Sequence, residues 1–182
     1  MATRLLCCPQ VFEKLEQDSK QLDKFHGPAI LVGDWKHPFL PYGVDVTEEK
    51  LREWAGKWNT HRKNLEIPTP DGHTDDADKN RGYLDRDYEW KVVEYDVNGE
   101  KVLGLDVGYD IKDPETIRAA KAGTLGRSVS FTDDYRYSTG DGEVHQLGEF
   151  FRHVAYTSEP VISMPALEPT IALSKTGEKL EY

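Results

Sequence analysis

Three side chains in this sequence have the chemistry of an acyl-transfer site: Ser128, His73 and His153. A serine hydroxyl is a poor nucleophile until a base takes its proton. Imidazole is the side chain whose unperturbed pKa suits that task near neutral pH. A third group must then fix the ring's tautomer and stabilise the imidazolium that forms. A carboxylate usually does so; a second imidazole does it more weakly, because a neutral ring does not balance the new charge. Spacing alone does not bring these residues together. Ser128 equally suits a small polar position on a half-buried strand, His153 a core histidine bonded to backbone, and His73 a solvated loop. Strand alternation puts Ser130 on the same face as Ser128, so Ser130 is the alternative nucleophile.

The elements that must position them follow from local pattern. Gly126 to Phe131 alternates small and β-branched residues and closes on an aromatic, which predicts a strand. Phe150 to Thr157 predicts a second strand about twenty residues later. His73 lies in the polar loop Pro70 to Asp76. Leu65 to Ile67 reads as a short strand closed by Pro68, and Gly82 to Leu84 as a return to extended structure. Asn98-Gly99 between β-rich arms, Glu89–Val97 and Glu100–Val107, predicts a hairpin. Helices are expected over 9–25, 47–60 and 113–123. Gly27-Pro28 is expected to end the first, and Ala29 to Val32 to form a buried strand. Thr47 and Asp113 are the N-caps of the other two, with Pro114 at a first helical position and Gly123 as a C-cap. Leu51, Trp54, Ala55 and Trp58 share one helical face, a core stripe. Strands that follow one another through turns predict an α+β fold, a largely antiparallel, barrel-like sheet with flanking helices.

The 182 residues suit one domain with a real core. A net charge of −10, with His61-Arg62-Lys63 as the densest basic cluster, argues against a nucleic-acid partner. Acidic charge steers instead towards basic surfaces. The two cysteines, adjacent at Cys7-Cys8, read as reduced thiols. No segment reaches the length of a membrane span. Asp71, His73, Asp75, Asp76 and Asp78 alternate like calcium ligands, but the order is not that of an EF-hand and no closing Glu follows. A solvated acidic loop is the reading preferred, with no cofactor and no metal.

Three stretches resemble the head maturation (prohead) proteases of tailed bacteriophages, which are related in fold to the herpesvirus assembly protease, assemblin. They are Ile67 to His73 with Gly82-Tyr83-Leu84, Ala122 to Phe131, and Phe151 to Pro160. The second is similar to the family's segment of helix, glycine and Ser-hydrophobic-Gly-Phe; Ser128 falls on the nucleophile and Ser130 on the glycine. In the third, His153 falls on the residue that completes the triad. Many phage members carry an acid there and assemblin a histidine. The resemblance implies a serine endopeptidase with Ser128 as nucleophile, His73 as base and His153 as its orienter. It implies the phage's major capsid protein and scaffold as substrates, action inside the assembling procapsid in the host cytoplasm, self-cleavage, and a homo-oligomer such as assemblin's dimer. No arginine pair of the assemblin kind follows His153, which leaves backbone N–H groups, Arg127 or Arg136 as oxyanion donors. The corresponding organisation is an N-terminal helical arm over 1–27, a protease domain over 28–170 and a polar tail over 171–182, leading into a scaffold segment.

Overall fold

The computed structural model describes residues 23–36, 43–158, 160 and 162–170. Most of the expected 9–25 helix, Cys7-Cys8 and the 171–182 tail lie outside them. Ten strands and two α-helices are described: β1 (Lys24–Leu31), β2 (Gly33–Lys36), β3 (Gly43–Val46), α1 (Glu48–His61), β4 (Pro68–Pro70), β5 (Asn80–Leu84), β6 (Lys91–Val97), β7 (Glu100–Ile111), α2 (Pro114–Ala122), β8 (Gly126–Ser138), β9 (Val144–Thr157) and β10 (Glu168–Pro169). The fold is α+β, and every strand pair is antiparallel. No closed barrel forms among the described strands. They make a six-stranded sheet in the order β10-β1-β7-β5-β4 with β6 also on β7, and two hairpins, β2-β3 and β8-β9.

The twelve-residue β7 organises the main sheet. Its first half pairs with β6 and its last residues with β5, while β1 runs along its other edge. The turn between β6 and β7 has Asn98 at φ 53° and Gly99 at φ 84°, the paired positive values of a type I′ turn. Thr47 Oγ1 accepts the Lys50 N–H at 3.2 Å to cap α1. Asp113 accepts the Thr116 N–H at 2.9 Å to cap α2, and Gly123 closes α2 in the left-handed region at φ 72°.

Three local expectations are corrected. Lys24 and Phe25 are strand, not helix: β1 runs straight through Gly27-Pro28, absorbing the proline with a register shift between Pro28 and Ile30. The folded body thus begins before residue 28. The strand expected at 65–67 lies instead at the prolines themselves, Pro68–Pro70. β4 is an edge strand, where a missing N–H costs no ladder bond. β8 does not stop at Phe131 but continues to Ser138, so the Ser128 and His153 strands form one long hairpin with three register shifts.

The core sits where α1 meets that hairpin. Trp54 stacks on Phe131 at 4.9 Å between centroids, and Trp58 on Trp90 at 4.6 Å. Phe150 and Phe151 of β9 close against Trp90. Burying aromatics of this size contributes roughly 3 kcal/mol each. Asn59 pins the Trp90 backbone in both directions, donating to its carbonyl at 2.9 Å and accepting its N–H at 2.8 Å.

Candidate active site

Hairpin register comes first. Ser128 faces Ala155 and Ser130 faces His153 across β8 and β9. Directly opposed residues point to one side of the sheet, so Ser128, Ser130, Ala155 and His153 share a face. One residue later the register shifts: Phe131 pairs with Phe151, and Arg152 has no cross-strand partner. This bulge throws Arg152 outward while Phe151 and His153 stay buried.

The loop after β4 brings the third member. Asp71 bridges to Tyr156 of β9 as a parallel pair, and the Gly72 N–H donates to the Tyr156 carbonyl at 2.9 Å. Gly72 is left-handed at φ 76°, a conformation that glycine adopts without penalty. The loop closes on itself through the Asp71 N–H to the Lys79 carbonyl at 2.8 Å. The Thr74 hydroxyl and the Asp76 carboxylate accept the N–H groups of Asp76 and Asp78.

His73 is thereby laid over the hairpin face. Its Nε2 is 2.9 Å from Ser128 Oγ and its Nδ1 is 2.8 Å from His153 Nε2. The two rings are 5.1 Å apart at 39°. The structure therefore brings Ser128, His73 and His153 into one hydrogen-bonded line. Ser130, on the same face, is the cross-strand neighbour of His153, and the hydroxyl at hydrogen-bond distance from Nε2 is that of Ser128. Two proton arrangements satisfy both bonds. In one, Ser128 donates to His73 Nε2 and His73 Nδ1–H donates to His153 Nε2. In the other, His153 Nε2–H donates to His73 Nδ1 and His73 Nε2–H donates to the serine oxygen. Only the first leaves the His73 Nε2 lone pair to take the serine proton.

Burial is graded along the line. His73 is exposed, Ser128 half-buried, and His153 is 4% exposed. Burial, then the neighbouring His73 and Arg152 charges, push the pKa of His153 below its ordinary 6.5, with Asp75 opposing them. The shift favours the neutral His153 ring, which both proton arrangements use.

The two arginines stand elsewhere. Arg127 sits one residue from Ser128 on the opposite face and is 2% exposed. Its guanidinium donates to the carbonyls of Pro28 at 3.1 Å, Leu125 at 3.0 Å and Pro165 at 2.7 Å. It is a brace behind the hairpin and not a donor above the serine. Arg136 donates to Asp134 at 2.8 Å and lies eight residues along β8, roughly 25 Å away in extended chain. The loop acids also diverge. Asp75 pairs with Arg152, Asp71 lies 3.8 Å from Arg81, and Asp76 caps a short 3-10 turn. Among the described residues no three of His, Cys, Asp and Glu are grouped to hold a metal ion. Nor is any described helix long and apolar enough to cross a membrane.

The Arg152–Asp75 pair had no counterpart in the sequence reading. Its only signal there was an arginine preceding His153 and an aspartate two residues after His73, on segments whose contact depends on the bulge. Comparison with known proteins finds no matching family model, no matching curated protein and no matching solved structure.

Proposed function

We propose that this chain is a serine endopeptidase that uses Ser128, His73 and His153. The observation that carries the reading is the hydrogen-bonded line itself: His73 Nε2 at 2.9 Å from Ser128 Oγ, with Nδ1 at 2.8 Å from His153. Nucleophile, base and orienter within hydrogen-bond reach are the signature of an activated serine.

The steps follow from the geometry. A bond forms between Ser128 Oγ and the scissile carbonyl carbon as the serine proton passes to His73 Nε2. The C–N bond breaks as His73 returns that proton to the leaving amine. Water then gives a proton to His73 and attacks the acyl carbon, the bond from that carbon to Oγ breaks, and Ser128 regains its proton. With Arg127 and Arg136 engaged elsewhere, backbone N–H groups are the donors for the tetrahedral oxyanion. His153 holds the His73 tautomer but brings no negative charge, so the enzyme is slow beside one with a carboxylate in that place.

The substrate class rests on the three stretches that resemble the prohead proteases. They support a protease of the prohead and assemblin type, cutting scaffold and capsid-protein extensions, and itself, within a phage procapsid, as a homo-oligomer.

The test is labelling by a fluorescent fluorophosphonate, with intact mass before and after, on wild type, Ser128→Ala and Ser130→Ala. Label on wild type and Ser130→Ala but not on Ser128→Ala is expected. Loss in Ser130→Ala alone would move the nucleophile. No label on any of the three, even at high protein concentration, would make a non-catalytic capsid scaffolding protein the better reading.

A further inference from the structure

An ion pair stands beside the hydrogen-bonded line of Ser128, His73 and His153. Asp75, two residues after His73, forms an ion pair with Arg152, the residue before His153. Arg152 reaches the loop because the β9 bulge gives it no cross-strand partner and turns it outward. The pair joins the base-bearing loop to the orienter-bearing strand, close enough for both charges to act on His153. Before His73, the Asp71–Tyr156 bridge and the Gly72 N–H tie the loop to β9, and His73 itself bonds His153. Asp75–Arg152 is the tie after it. His73 is therefore held from both sides.

We propose that Asp75 and Arg152 are positioning residues: their ion pair clamps the His73 loop onto β9. This rests on the serine-protease reading for its catalytic consequence. The charged groups acting on His153 are His73, Arg152 and Asp75. Arg152 disfavours an imidazolium and Asp75 favours it, so the two act with opposite sign.

Both side chains are more than half exposed, at 71% for Asp75 and 52% for Arg152. Exposed pairs stabilise a fold little. The clamp should therefore show in reactivity and in titration, with the melting temperature moving by no more than a few degrees.

The experiment measures the fluorophosphonate labelling rate of the full chain from pH 5 to 9, with NMR titration of the His73 and His153 rings. The proteins are wild type, Asp75→Asn, Arg152→Met and the exchange Asp75→Arg/Arg152→Asp. Each single variant is expected to lower the plateau rate roughly three- to tenfold. Asp75→Asn should move the His153 midpoint to lower pH, and Arg152→Met to higher pH. The exchange should recover most of the plateau rate. Single variants that label and titrate like wild type would overturn the proposal, as would two shifts of the same sign or an exchange as slow as the singles. Wild type that never labels would sink the protease reading; the opposed His153 shifts would then still decide whether the clamp exists.

Discussion

At the residue scale the site depends on one buried neutral histidine. His153 has its pKa pushed below 6.5 chiefly by burial. The folded state therefore binds a proton on it less readily than the unfolded chain does. Stability from this group is fully present above pH 6.5 and is lost as the pH falls through the lowered value. Urea midpoints measured from pH 7.5 to 4.5 should decline on acidification, and decline less in His153→Gln. An equal decline in the two proteins would mean that His153 is not the group responsible. The same substitution should slow fluorophosphonate labelling, because a flexible amide can turn its NH2 as well as its oxygen to His73 Nδ1 and so fixes the tautomer less firmly.

At the scale of elements, the critical piece is the turn that lifts His73 over the hairpin. Gly72 has open space around the place a Cβ would occupy, with nothing within 4 Å, so any penalty there is conformational rather than steric. Gly72→Ala should cost about 1 kcal/mol from the left-handed backbone and slow labelling as the loop relaxes. Gly72→Asn should cost less, since asparagine tolerates that region. Denaturant melts of both variants check this; an alanine variant as stable as wild type would mean that the loop does not need its turn. The bulge in β9 is the second device at this scale. Without the extra residue, Arg152 would pair across the hairpin and the Asp75 contact would not form.

At the scale of the molecule, Arg127 ties distant segments together. It joins β1 at Pro28, the approach to β8 at Leu125 and the segment before β10 at Pro165. Among the described residues no carboxylate lies in ion-pair range of it, and its guanidinium hydrogen bonds run to peptide carbonyls. Arg127→Met would leave buried carbonyls without donors and should destabilise the fold by about 2–4 kcal/mol. Arg136→Met, at an exposed pair, should change stability by less than about 1 kcal/mol. Chemical denaturation of the two variants side by side checks the difference. A silent Arg127→Met would mean that the brace contributes nothing net, its desolvation cost offsetting its four hydrogen bonds.

Much of this was legible in the amino-acid order, because the governing physics is local. Caps at Thr47 and Asp113, the Asn98-Gly99 turn and the tryptophan stripe of α1 follow from backbone preferences and periodicity within a few residues. Residue type made Ser128, His73 and His153 candidates, strand alternation put both serines on one face, and the resemblance to the prohead proteases suggested the three roles. Tertiary structure alone decided three things. It laid β1 through Gly27-Pro28, because pairing with β7 outweighs the local tendency of that dipeptide to break a strand. It selected Ser128 over Ser130 at the His73 ring, because hairpin register and loop placement are long-range. And it sent Arg127 into the core and Arg152 to Asp75. Two arginines with the same local appearance part there, one by alternation across a strand and the other by a bulge that only the complete hairpin contains.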